Sequence, residues 1–457
     1  QNIFEQYHIS DFPWPFKPEY HPTGTQIMQY LQEAVNHFQL DVKLEHEVKS
    51  LKEQPEGWLV RIQGPDEYRE EPFDFVMVSN GHYSDGKNNL RFPDQELYQG
   101  RVMTERDLQS LEAFKGKRVA VVGFGKSAVD MADFAVQQQA EQVFHVFRTP
   151  RWMFPRQLFG VHFTHYFFNR FGSMMMPIWS HPSAVERMMH LRTPGFVRSF
   201  WKMIEGLLRG KIMKRGAKLG PDIQQRLRSL IPNHSLVADL RSASCLEPEN
   251  YYSFVAEGRI VPHHAEIAAF TPNGILLQNG ITLDCDVVML SLGNSSPSFP
   301  FLPAEYRAML ESEPDGAQLY RHLIHPKIPR IGFAGFNHGF LHVPSVEVGT
   351  LWLTALWKGN LHLPPLKSME ESIVYLQSWK REHIHFEPSR SCGVNTRFQQ
   401  YLDILLKDLD ISPYRKLPNV LAEVFARYRA SDYAGVFKDF QRQHSKSKIL
   451  QASPLMH

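Results

Sequence analysis

Residues 117–132 read Lys117-Arg118-Val119-Ala120-Val121-Val122-Gly123-Phe124-Gly125-Lys126-Ser127-Ala128-Val129-Asp130-Met131-Ala132. A short β-branched apolar run ends at a glycine, and a helical pattern follows at once. That grammar belongs to a buried parallel strand with a crossover helix. Two further runs end in the same way, Asp74-Phe75-Val76-Met77-Val78-Ser79-Asn80-Gly81 and Asp286-Val287-Val288-Met289-Leu290-Ser291-Leu292-Gly293. Each follows a hairpin: Trp58-Leu59-Val60-Arg61-Ile62 leads to the first, and Gly274-Ile275-Leu276-Leu277 leads through Asn279-Gly280 to the second. Asn-Gly between apolar runs is a strong hairpin signal. A hairpin feeding a strand that ends in glycine therefore occurs twice, with an independent strand–glycine–helix unit between the copies. The chain reads as one α/β domain interrupted by a second, inserted α/β domain.

The central loop has the spacing of a dinucleotide fingerprint. Gly123 makes the tight turn, Gly125 lets backbone approach a pyrophosphate, and Ala128 keeps the helix close to the strand. Lys126 and Ser127 complete the loop at the helix N-terminus, whose free N–H groups favour an anion. A GxxxxGK[ST] phosphate loop is excluded, because its first glycine would fall at Ala120. The second strand, Gln142 to Phe147, ends in Arg148-Thr149-Pro150-Arg151 and not in an acid. An acid there would bind the ribose 2′-hydroxyl of NAD, whereas Arg148 and Arg151 suit the 2′-phosphate of NADP.

Helical spacing is also read over Thr25–Phe38, Pro221–Leu230, Ser368–His383 and Asn395–Leu409. The basic stretch 209–218 reads as a solvated face. With 50 Lys plus Arg against 48 Asp plus Glu, the chain lacks the basic excess of a nucleic-acid binder. Its three cysteines are far apart, so no disulfide framework or CxxC metal site is expected, and a reducing, cytoplasmic setting fits. The stretch Phe154 to Trp179 is interrupted by Arg156, His162, His165 and Arg170, which is too polar for a spanning helix. Contact with a membrane surface stays compatible with its Phe and Met content, although packing in the interior explains it as well. The 32 phenylalanines point to large apolar interiors or a ring-lined cavity.

Taken together the residues resemble the flavin-containing monooxygenase family, relatives of the Baeyer–Villiger monooxygenases and N-hydroxylases. Ser10-Asp11-Phe12-Pro13-Trp14-Pro15 is similar to the family's SDFPxP segment, and Tyr30 to Phe38 to the helix that follows. Asp74 to Ser84 resembles its DxVxxATGHxS strand, Gly123 to Ala132 its NADP loop, and Arg148 to Trp152 the segment beyond the second strand. His325-Pro326, Pro329 to Gly335, Pro344, Glu347, Trp352, Gly359, Leu363-Pro364 and Met369 follow the family's C-terminal order.

The resemblance implies two Rossmann-like domains, an NADP domain inserted into an FAD domain. The expected boundaries are 1–110 for the first part of the FAD domain, 111–255 for the NADP domain with a variable insert, 256–365 for the second part, and 366–457 for a C-terminal helical region. It implies FAD and NADPH as cofactors, with Gly81 and Gly293 as further cofactor contacts and Asn2 near the position of an active-site asparagine. The implied reaction is oxygenation of a soft nitrogen or sulfur nucleophile by O₂ through a flavin C4a-hydroperoxide. Baeyer–Villiger oxygenation of ketones, or nucleotide binding without turnover, are the alternatives. The family's opening FAD strand–GxGxxG–helix is not among the printed residues, as expected of a fragment lacking that first unit.

Other departures fall in motifs. Tyr98 and Gly100 keep the aromatic and the glycine of the family's identifying motif, but Thr104 stands for its histidine and Leu108 for its last aromatic. Asn80 and Leu292 replace the two ATG threonines, and Lys126 replaces the NADP-loop asparagine. These changes bear on activity and substrate and leave the expected fold untouched.

Overall fold

A computed structural model describes residues 3–81, 86, 90–178, 182–242, 245–337, 339–384, 394, 396–444 and 450–452. The chain forms two compact units, the first made of Gln1–Ser84, Thr164–His190 and Ser296–His457, the second of Asp85–Phe163 and Leu191–Ser295.

The first unit opens with helix α1 (Gly24–Phe38), started by a capping box in which Thr23 and Gln26 satisfy each other's backbone N–H. An antiparallel meander follows, β1 (Glu47–Gln54), β2 (Gly57–Gln63) and β3 (Tyr68–Phe73). It feeds β4 (Val76–Val78).

The second unit carries β5 (Arg101–Met103), β6 (Arg118–Val122), helix α2 (Lys126–Gln137), β7 (Gln142–Phe147), α3 (Pro194–Lys214), α4 (Tyr251–Ala256) and β8 (Ile260–His264). A second meander, β9 (Ile267–Thr271), β10 (Gly274–Leu277) and β11 (Thr282–Asp284), feeds β12 (Val287–Leu290). The main sheet is all parallel in the order β8-β7-β6-β12-β5. Strands covered on both faces must be apolar throughout, and Val119, Ala120 and Val121 of β6 have no exposed surface. Ala120, Val146, Phe270, Ile275 and Val288 join sheet and meander in one core.

Back in the first unit, β13 (Ile331–Phe333) pairs parallel with β4. Helices α5 (His342–Trp357), α6 (Leu366–His383) and α7 (Phe398–Asp408) complete it. Its main core gathers Trp58, Val78, Phe299, Ile331 and Phe333.

This division differs from the expected boundaries: 85–110 and 256–295, expected in the interrupted domain, fold with the second unit, 164–190 folds with the first, and 366–457 belongs to the first unit. Val287–Leu290, read as returning to the interrupted domain, lies between β6 and β5 in the inserted one. The repeated hairpin–strand–glycine is thus one copy per unit and not two halves of one domain. The aromatic stretch also divides, because 164–190 folds with the first unit. Phe168 meets Phe340 and Phe398 there at 4.8 and 5.2 Å. Arg170 forks onto Asp403 at 2.6 and 3.1 Å, and fully buried Arg397 pairs with Glu186 at 2.7 Å. Charges so placed need partners close by, which fixes the segment where those partners are.

Candidate functional site

The glycine loop sits where the sheet order reverses. From β6 the chain runs outward through β7 to β8, while β12 and β5 lie on the other side of β6. Ligands of open parallel sheets bind beyond the carboxyl ends of the strands at such a switch point. Gly123 follows β6 with φ +116°, and an added Cβ would collide with the carbonyl oxygen of Ser291, just past β12. Only glycine satisfies both the dihedral and the close approach.

Gly125 is the N-cap of α2, in extended backbone at φ −76° and ψ 178°, and it offers no side-chain cap. The first-turn N–H groups of α2 therefore have neither intrahelical nor capping partners, an arrangement suited to an anion. Ala128 is fully buried, as close helix–strand packing requires. Ser127 is half-buried, and Lys126 is bound to Asp130 one turn on. Glycines without Cβ, an uncapped helix start and a small residue at the third position fit a dinucleotide pyrophosphate.

The two arginines beyond β7 part company. Arg148 is exposed, and its carbonyl accepts from His264 Nε2 at 2.6 Å. Arg151 instead pairs at 3.2 Å with Asp239, which has no exposed surface and also accepts from Trp152 N at 2.7 Å and meets His234 Nε2 at 2.8 Å. The basic stretch is likewise partly engaged: Arg209 lies over Trp152 at 5.2 Å, and Lys211 and Arg215 pair with Glu247.

At the identifying motif, both the retained residues Tyr98 and Gly100 and the substituted Thr104 make local structural contacts. Tyr98 Oη donates to the Cys285 carbonyl at 2.9 Å, and a Cβ on Gly100 would press on the Asp286 carbonyl at 2.7 Å, so both fasten the start of β5. Thr104 closes its own turn, its N and Oγ1 each 2.8 Å from Asp107 Oδ2. Those bonds hold the Asp107 carboxyl below its usual range.

In the first unit β4 runs to Gly81 at φ +88°, and β13 to Gly335 at φ +85°. Helix α5 starts without a side-chain cap. Three buried amides have unsatisfied atoms among the described residues, Asn337 through Oδ1, Gln399 through Oε1 and Gln6 through both ends of its carboxamide. Buried polar atoms are seldom left unpaired, so the unit suits a polar ligand. Ser10 and Glu347, motif residues far apart in sequence, meet here: Ser10 N lies 3.0 Å from both carboxylate oxygens and Ser10 Oγ donates to one at 2.9 Å. Burial outweighs these bonds and pushes the Glu347 carboxyl up to about 7.

Gly293 ends the segment beyond β12 with φ +89°. Asn2 and the motif residues 82–84 lie outside the described residues. Reading the sequence missed His145, Asp239 and Ser291. His145 did carry a signal, a polar side chain inside an apolar strand.

The profile of the flavin-binding monooxygenase-like family matches residues 3–193. A probable flavin-containing monooxygenase 1 of Arabidopsis thaliana is 28% identical over 483 residues, spanning 95% of this chain and 87% of its own. A dimethylaniline monooxygenase (N-oxide-forming) 2 of Cavia porcellus is 26% identical over 418 residues, 89% of this chain and 71% of its own. In fold, the chain is similar to cyclohexanone monooxygenase from Rhodococcus sp. Phi1 bound to NADP⁺, with TM-score 0.64 and 16% identity over 90% of this chain and 88% of that one.

Proposed function

The chain belongs to the flavin-containing monooxygenase family, and on that premise we propose that it is an FAD- and NADPH-dependent monooxygenase acting on a soft nitrogen or sulfur nucleophile. The observation that carries the nucleotide half is the glycine loop at the switch point, opening an uncapped helix and followed by exposed Arg148 at the end of the next strand. The name of the N-oxide-forming relative supports the substrate class.

Gly123, Gly125 and the first turn of α2 would hold the pyrophosphate, with Lys126 and Ser127 at its rim and Ala128 beneath. Arg148 would bind the 2′-phosphate. Arg151, tied to Asp239, orders the wall behind it. In the first unit Gly81, Gly335 and the start of α5 would admit the flavin, with Gly293 marking the segment that leaves β12. Asn2 retains the active-site role that the resemblance implies. FAD, when bound, would supply the redox chemistry by which NADPH and O₂ oxygenate the substrate, with NADP⁺ and water as the other products. The protein's share is to bind, orient and exclude water. Among the described residues no helix is long and apolar enough to cross a membrane. A cytoplasmic setting belongs to this reading and suits the buried free thiols of Cys245 and Cys285.

The test is oxygen and nucleotide consumption with N,N-dimethylaniline, a thioether and cyclohexanone as separate substrates. We expect NADPH-dependent N- or S-oxide, with NADH far poorer. Lactone from cyclohexanone alone would replace the substrate class. Nucleotide binding with no oxygenated product from any of the three would establish a protein without turnover.

A further inference from the structure

At the centre of β7 the strand interrupts its own apolar pattern. Val143, Val146 and Phe147 are buried hydrophobics, but His145 is a histidine with no exposed surface. Both its ring nitrogens are bonded. Nε2 lies 2.7 Å from the carbonyl oxygen of Gly123, and Nδ1 lies 2.6 Å from the hydroxyl of Tyr251. A carbonyl can only accept, so Nε2 carries the proton and Nδ1 accepts from the tyrosine. Burial pushes the imidazole down to about 4, which keeps it neutral and this tautomer in place at neutral pH.

The partners close a ring of contacts around the loop. Tyr251 is the first residue of α4, and the backbone N–H of the preceding Asn250 bonds to the buried carboxyl of Asp133. Asp133 belongs to α2, the helix that the loop opens. Phe124, between the two loop glycines, stacks on His145 at 5.1 Å and 18°. Loop, α2, α4 and β7 are thus linked through polar groups, each of which would be costly to leave unpaired.

We propose that His145, held in its tautomer by Tyr251, is a positioning residue for nucleotide binding. It turns the Gly123 carbonyl inward and so presents the N–H groups that follow, at the start of α2, to the pyrophosphate. The inference rests on the nucleotide reading above and adds a residue pair that neither contacts the ligand nor belongs to the glycine pattern.

The experiment is calorimetric titration of the full chain with NADP⁺ and with adenosine 2′-monophosphate, which keeps the adenosine and 2′-phosphate but has no pyrophosphate. The variants are His145→Leu, His145→Gln and Tyr251→Phe. Losing one neutral hydrogen bond predicts NADP⁺ binding weaker by about three- to tenfold in His145→Leu and Tyr251→Phe. Adenosine 2′-monophosphate should bind all of them as it binds the parent. His145→Gln, whose amide nitrogen can reach the place of Nε2, should recover most of the NADP⁺ affinity. KM for NADPH should follow the same order while kcat at saturation stays unchanged. Equal weakening of both ligands would mean a structural role only, and no weakening of either would overturn the proposal outright. Tyr251→Phe removes a single oxygen and carries the test if His145→Leu does not fold. Failure of the parent protein to bind NADP⁺ would reject the nucleotide reading itself, a result distinct from any variant's.

Discussion

Arg148 and Arg151 carry the same guanidinium, and burial separates what they do. Arg148→Ala should weaken NADPH binding by about 1–3 kcal/mol, the usual worth of charge-assisted bonds, and leave NADH nearly unchanged. Arg151→Ala should act on the fold, because Asp239 stays fully buried with its main positive partner gone. Removing one member of a buried pair costs about 3–5 kcal/mol, and the bonds that Asp239 keeps to Trp152 and His234 place this case near the lower end. Urea unfolding beside nucleotide titration separates the two, and equal binding losses with equal stability would contradict the assignment. Glu347 gives a pH-dependent counterpart. Its folded value of about 7 lies above the ordinary 4.5, so the folded unit prefers the protonated carboxyl. That contribution is complete below about 4.5 and is lost as pH rises through about 7, an amount of about 3–3.5 kcal/mol. Glu347→Gln cannot ionise and should flatten this stretch of the stability–pH curve. An unchanged slope in the variant would assign the pH dependence to other groups.

At the scale of elements, the start of α2 decides whether the glycine loop is a binding device or a packing turn. Gly125 already has the extended backbone that an N-cap aspartate adopts. Gly125→Asp should cap the helix and raise stability by about 0.5–1 kcal/mol. The same carboxylate would stand where the pyrophosphate belongs, and NADPH affinity should fall by more than about tenfold, over 1.4 kcal/mol. Thermal unfolding and nucleotide titration on one preparation read both signs. A stabilised variant that still binds NADPH would show the ligand to sit elsewhere. This loop was legible in sequence because three local signals coincide over a dozen residues: an apolar β-branched run, glycines at fixed spacing and a helical pattern. Helices α1, α6 and α7 were legible from helical spacing alone, and their observed ends lie within a few residues of the expected ones. Arg151's engagement was not legible, since Asp239 approaches it only through folding, and neither was the collision that makes Gly123 obligatory, because Ser291 is far away in sequence and follows a strand that becomes the neighbour of β6 only through pairing.

For the whole molecule, the repeat was visible in the sequence, but its meaning depended on pairing. A meander leading to a strand that ends in glycine looks the same whether two copies are halves of one domain or belong to one domain each. Side-chain pattern records which faces are buried and not which neighbour buries them, so β12 could be assigned only from its bonds to β6 and β5. Each unit then has its own meander and core, Trp58 with Phe299 and Phe333 in the first, Phe270 with Val146 and Val288 in the second. Two cores of this kind predict two separable responses to ligand. NADP⁺ at about a hundredfold its dissociation constant should stabilise the state that binds it by about 2.7 kcal/mol. Hydrogen exchange should register that gain in β6, α2 and β7 of the second unit and leave the β1–β3 meander of the first near its unliganded rate. Equal slowing in both would mean that they unfold as one cooperative body. Slowing confined to the β1–β3 meander would place the nucleotide on the first unit and overturn the assignment of the Gly123–Ala128 loop.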